Sequence, residues 1–194
     1  IGQLIGEAGG FVSAPVHSSV SGTVLSVGLF PHPMGKPVMG VEIENDGTEE
    51  KQMLSPLDKP WREAAQGELV QKVQAAGIVG MGGASFPTHV KLSPPSNKPI
   101  DILIINGAEC EPYLTADHRL MLERTEDLLT GVLILKKILG AKKCFIGIEE
   151  NKPDAIKLIN KLLSENLYKD IILARLGAKY PQGGEKQLIN AITG

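Results

Sequence analysis

A chain of 194 residues with 42% hydrophobic content has the material for a buried core and for one or two domains. Its formal net charge is only −2, so neither the basic surplus of a nucleic-acid binder nor a repelling acidic tail is present. The longest apolar runs, residues 102–105 and 132–135, fall far short of a bilayer span, and no signal peptide is recognisable.

Residues 1–54 are rich in Gly, Ser, Pro and Val. Val12, Val16, Val20, Val24, Val27, Val38, Val41 and Ile43 fall in short runs separated by Gly/Pro/Ser/His turns, which predicts a small all-β part. Near Ser55–Pro60 the character changes. Pro60 suits the first turn of a helix, and Leu69, Val70, Val73 and Ala76 then recur at helical spacing.

Beyond residue 91 strands and helices alternate. An apolar run at residues 100–105 precedes a helical stretch over 120–139 that Gly140 closes. Residues 143–148 form a second strand, Asn151 and Pro153 open a helix, residues 171–174 form a third strand, and 185–193 form a last helix. Mostly apolar strands alternating with helices predict a parallel sheet covered on both faces, an α/β domain over 55–194.

The two cysteines, Cys110 and Cys144, share no partner motif and are expected to be reduced thiols. Two thiolates do not satisfy the usual four-thiolate rule for an iron–sulfur cluster, so any cluster is expected outside this chain. His17, His32, His89 and His118 show no metal-ligand spacing. Ile1 is not a start methionine, which suggests part of a longer protein.

Gly77-Ile78-Val79-Gly80-Met81-Gly82-Gly83 places four glycines in seven residues. Such a loop lets backbone N–H groups approach an anion without a Cβ in the way. No Gly-Lys-Ser/Thr follows, so it is not a Walker A loop. A helix rather than a strand precedes it, and Ser85 stands where a dinucleotide fingerprint has its third glycine. A tight structural connection and an anion-binding loop both fit these residues.

Three motifs in order carry a family resemblance. Residues 80–91, from Gly80 through Phe86 to Lys91, resemble the glycine-rich loop of the flavoprotein subunit of respiratory complex I, Gly-Arg-Gly-Gly-Ala-Gly-Phe-Pro-Thr-Gly-x-Lys. Asn106-Gly107-Ala108-Glu109-Cys110-Glu111-Pro112 is similar to that family's Asn-Ala-Asp-Glu-Gly-Glu-Pro. Tyr180-Pro181-Gln182-Gly183-Gly184-Glu185 is similar to Tyr-x-Cys-Gly-Glu-Glu. Met81, Cys110 and Tyr113 bring the chain closer still to the RnfC family of peripheral electron-transport subunits. The stretch Ser13–Val24 resembles half of a biotinyl/lipoyl-type barrel-sandwich domain. Its nearby lysine, Lys36, lacks the flanks of a carrier lysine, so a docking module is expected there.

The resemblance implies FMN and NAD(H) in this region, with hydride passing from nicotinamide to flavin. It assigns Gly80, Gly82 and Gly83 to the phosphate region through their backbone N–H groups, Lys91 to the FMN phosphate and Phe86 to the adenine of NADH. Asn106 would meet the flavin ring and Glu111 the nicotinamide nucleotide. Glu109, Tyr180 and Glu185 would be further polar contacts. It also implies 4Fe–4S clusters elsewhere, ferredoxin and other Rnf membrane subunits as partners, coupled ion translocation, and a place on the cytoplasmic face of the membrane. Met81, Ala108, Gly184 and His89 depart from the complex I pattern. A flavin-dependent cobalamin reductase, or a docking protein whose flavin site has decayed, remains an alternative on these residues.

Overall fold

The computed structural model describes residues 1–81 and 84–194. Gly82 and Gly83, assigned above to a phosphate site, therefore lie outside the described residues. The chain divides into two compact units, residues 1–93 and 94–194.

In the first unit, β1 (Leu4–Gly6) pairs antiparallel with β2 (Val16–His17), and β3 (Gly22–Phe30) pairs antiparallel with β4 (Val38–Asn45). The β-rich character expected for the N-terminal part is thus realised as two short ribbons. Gly22 is obligatory, because a Cβ there would stand 1.9 Å from the carbonyl oxygen of Glu44. The hydroxyl of Ser21 donates to Asp46 Oδ1 at 2.7 Å and accepts the N–H of Glu49 at 2.9 Å, closing the open end of the second ribbon.

Helix α1 (Gln66–Ala75) begins six residues after Pro60. Pro60 instead opens a turn, its carbonyl accepting the N–H of Glu63 at 2.9 Å. Ala65 is extended, and its N–H donates to the Glu68 carboxylate at 3.3 Å, which fixes the later start. Gly77 follows α1 at φ 65°, and the short helix α2 (Thr88–Lys91) comes after the glycine-rich stretch.

The second unit is the expected α/β arrangement. Strands β5 (Ile102–Asn106), β6 (Lys143–Glu149) and β7 (Ile171–Leu176) form a parallel sheet in the order β5-β6-β7. Both faces are covered, as continuous apolar strands require. On one face Leu103, Ile105, Cys144, Ile146 and Ile148 pack with α3 (Ala116–Glu123), α4 (Thr125–Leu139) and α5 (Pro153–Leu163), through Met121, Leu129, Val132, Ile156 and Ile159. On the other, Ile104, Ala174 and Leu176 meet Leu188 and Ile192 of α6 (Glu185–Thr193). Gly147 lets α6 come close: a Cβ there would lie 2.9 Å from Leu188 Cδ1.

The single helix expected over 120–139 is two. Arg124, at φ −132° and ψ 39°, separates α3 from α4, and the Thr125 hydroxyl donates back to the Met121 carbonyl at 2.6 Å. Glu126 and Asp127 then sit in the first turn of α4, where negative charge suits the helix dipole. Gly140, at φ 64°, caps α4 as expected. Among the described residues no helix is long and apolar enough to cross a membrane.

Candidate functional site

In the first unit, α1 ends at Ala75, Gly77 follows it, and Val79 and Pro87 form an antiparallel bridge. The N–H of Gly80 donates to the carbonyl of Phe86 at 2.9 Å, and the N–H of Thr88 donates to that of Ile78 at 3.0 Å. The structure therefore brings Gly80, Phe86 and Lys91 together. A Cβ on Gly80 would stand 3.2 Å from Lys91 Nζ, and that ammonium lies 5.9 Å from the centre of the Phe86 ring. No carboxylate pairs with Lys91 among the described residues. The backbone N–H of Gly80 is spent within the turn, so its contribution is open space beside a cation.

Two departures from the complex I pattern are explained within this unit. Met81 is 93% exposed and occupies no packed position. His89, where complex I has glycine, is buried, and its Nε2–H donates to the Phe11 carbonyl at 2.9 Å. The Phe11 ring stands edge-on to the imidazole, 5.8 Å away. His89 Nδ1 is buried without a hydrogen-bond partner among the described residues.

In the second unit, the carboxyl ends of parallel strands are where such sheets bind ligands. Asn106 ends β5 there. Its amide Nδ2 donates to the carbonyl of Gly183 at 2.9 Å, and its Oδ1 accepts the N–H of Ala108 at 3.1 Å. The N–H of Gly183 in turn donates to Cys110 Sγ at 2.9 Å. A Cβ on Gly183 would come within 2.8 Å of the Ala108 carbonyl oxygen, so the second and third motifs touch backbone to backbone. Ala108, another departure, is buried against Leu176 and Leu188; an aspartate would bring a charge into that contact. Gly184 is the N-cap of α6.

The remaining sequence-derived candidates differ in how they are engaged. Glu109 accepts the N–H groups of Asp117 at 2.8 Å and His118 at 3.2 Å, and so caps α3. Glu111 is exposed. Tyr180 is 80% exposed, and Glu185 sits in the first turn of α6.

Around Glu109 lies a polar network that sequence reasoning missed. The Asp117 carboxyl titrates above its ordinary value, because it is partly buried and faces Glu109; Lys152 opposes the shift. The His118 ring, 2.8 Å from Asp154, holds that carboxyl below the usual range. Lys152 donates to Glu149 Oε2 at 3.0 Å and Asn151 Oδ1 at 3.2 Å, with both charged side chains buried. An acid and a base three residues apart directly after a strand were the available signal. Among the described residues no group of three His, Cys, Asp or Glu side chains forms a metal site.

A parallel sheet with Asn106 at its carboxyl edge, fastened to the turn before α6, is the arrangement of an α/β ligand-binding domain. Residues 73–194 match the model of the Nuo51 FMN-binding domain, and the chain belongs to that family. Residues 1–48 match the RnfC barrel sandwich hybrid domain, so the resemblance to the RnfC family is borne out.

Three curated relatives are components of ion-translocating electron-transfer complexes. The chain is 47% identical to one from the proton-translocating ferredoxin:NAD+ oxidoreductase complex of Clostridium ljungdahlii. It is 49% identical to one from the Na+-translocating ferredoxin:NAD+ oxidoreductase complex of Acetobacterium woodii. It is 42% identical to one from an ion-translocating oxidoreductase complex of Pseudomonas aeruginosa. All of this chain is covered in each case, but only 42%, 43% and 25% of the relatives' lengths. Among solved structures, an NAD+-reducing NiFe hydrogenase in its H2-reduced state matches with a TM-score of 0.54 and 25% identity, over 66% of this chain and 24% of that one.

Proposed function

We propose that this chain is the FMN- and NAD(H)-handling part of the RnfC component of an Rnf-type complex. In that role the whole protein passes electrons between NADH and ferredoxin at the cytoplasmic face of the membrane. The observation that carries the reading is the cradle at Gly80: a cation without a carboxylate partner among the described residues stands beside a position where a Cβ would crowd it. An anionic phosphate next to an aromatic ring fits that donor set.

Lys91 then holds the FMN phosphate, the group to which the resemblance also assigns Gly82 and Gly83. Phe86 offers its face to adenine. Asn106 fixes the strand end that faces the flavin, Glu111 meets the nicotinamide nucleotide, and Tyr180 and Glu185 complete the third segment. Glu109 acts through α3, whose first N–H groups it holds. When bound, FMN supplies the conversion of a two-electron hydride into single electrons. The 4Fe–4S clusters that receive them belong outside this chain, and other membrane subunits of the ion-translocating complex are its partners. The functional division near residue 54 is supported by family matches that end at 48 and begin at 73.

Anaerobic titration of the full-length protein with FMN and then NADH tests this. Tight flavin binding followed by bleaching on NADH addition is expected. Tight binding without bleaching overturns the NADH-oxidoreductase reading, and absence of flavin binding favours a docking role.

A further inference from the structure

The β-rich N-terminal part borders the glycine-rich loop directly. Within residues 1–93, the segment Val12–His17 forms one wall of a cleft of about 600 Å³, and Gly77, Val79 and residues 84–87 form the other. That volume lies within the range of small-ligand sites.

The segment is pinned at both ends. At one end the Phe11 carbonyl takes the hydrogen bond from His89 on α2. At the other, Gly77 is approached so closely that a Cβ there would stand 2.5 Å from the Pro15 carbonyl oxygen and 3.2 Å from His17 Nδ1. Gly77 also sits at φ 65°, where glycine alone is relaxed. The spacing between the two walls is therefore set by a close backbone approach and a partly buried hydrogen bond.

The lining suits a purine nucleoside. Phe86 supplies an aromatic face from the loop wall, while Val12 and Pro15 supply apolar surface from the other. Ser13, His17 and Ser85 add a few polar groups, the pattern that orients a flat heteroaromatic ring and its ribose.

We propose that the segment Val12–His17 is the second wall of the cleft that receives the adenosine half of the dinucleotide, with His17 as its selecting residue. The inference rests on the reading that this region takes NAD(H). It gives the barrel-sandwich part a role in nucleotide recognition, and it gives His89 a reason to replace glycine: it anchors the wall.

The test compares two hydride donors on the flavin-loaded full-length protein: NADH, and reduced nicotinamide mononucleotide, which lacks the adenosine half. AMP serves as the probe of the cleft. In the unaltered protein AMP competes with NADH. In His17→Ala the inhibition constant for AMP rises about ten-fold, and the ratio of kcat/KM for NADH over the mononucleotide falls about ten-fold, the scale of one lost polar contact. His17→Gln recovers part of both.

A folded His17→Ala variant whose AMP constant and donor ratio stay within about two-fold of the unaltered protein overturns the proposal. So does an equal loss with both donors, which marks a general disturbance. Should His17→Ala not fold, Val12→Glu serves, since Val12 is 63% exposed. It puts a carboxylate into the cleft and is expected to weaken AMP by a similar factor; unchanged AMP affinity counts against the wall. If neither donor bleaches the unaltered flavoprotein, the NAD(H) reading fails by itself. Calorimetric binding of AMP to the same variants then still decides whether the cleft takes a purine nucleotide.

Discussion

Asn106 and Gly183 are 77 residues apart, yet the side-chain amide of one holds the backbone carbonyl of the other at 2.9 Å. The bond fastens the turn that leads into α6 onto the end of β5. It makes two of the three sequence motifs a single piece of structure, so a change at either residue is felt by both.

Gly183→Ala therefore tests that joint. Its new methyl would face the Ala108 carbonyl oxygen at 2.8 Å and Cys110 Sγ at 3.1 Å, and neither neighbour is the free end of a flexible chain. A loss of about 1–3 kcal/mol is expected, the cost of overpacking, read as a lower thermal midpoint. Asn106→Ala removes only the amide and is expected to cost about 1 kcal/mol. In the full-length protein both substitutions weaken FMN in a flavin titration.

Gly77→Ala strains the backbone at φ 65° and drives a methyl to 2.5 Å from the Pro15 carbonyl oxygen. The conformational part alone is worth about 1–2 kcal/mol. Denaturant unfolding is expected to show a larger loss, because the Val12–His17 segment must also shift.

The buried pair of Glu149 and Lys152 gives a prediction of opposite signs. Lys152→Met leaves the Glu149 carboxylate buried without its partner and is expected to destabilise by about 3–5 kcal/mol. The double substitution Glu149→Leu with Lys152→Met removes both charges. It is expected to recover most of that loss, and a double-mutant cycle in urea measures the difference.

The two thiols differ in how readily they are alkylated. Burial pushes the Cys144 thiol up to about 11, the nearby Lys136 charge opposing, whereas Cys110 is partly exposed. At pH 8 the thiolate of Cys144 is about one part in a thousand, so its alkylation in the folded protein is slow and Cys110 reacts first. The folded pKa lies above the ordinary 9.0, so this site's contribution is complete below pH 9 and is lost as pH rises toward 11. Mass spectrometry after timed alkylation distinguishes the two residues.

Much of the α/β part was legible because its signals are local. The apolar runs at 102–105, 143–148 and 171–174 fall on the observed strands, and Gly140 ends its helix as glycine should. The break at Arg124 was not legible, since it depends on a hydroxyl bonding back to Met121 within an otherwise continuous helical pattern. The motifs named Asn106, Lys91 and Phe86. What they could not show was that Cys110 accepts from Gly183, or that His89 holds Phe11 across 78 residues. Such pairings have no period, and only the folded chain brings their members together.

The ribbon of β3 and β4 leaves Val24, Leu25, Val27, Leu29 and Met39 half or more exposed. Side chains alternate along a strand, so neighbours such as Val24 and Leu25 make both faces of this ribbon sticky. Two strands alone also keep unpaired edges, the usual template for one molecule to extend the sheet of another. Polar replacements at Leu25, Leu29 and Met39 are therefore expected to lower the self-association of this stretch of chain at high concentration.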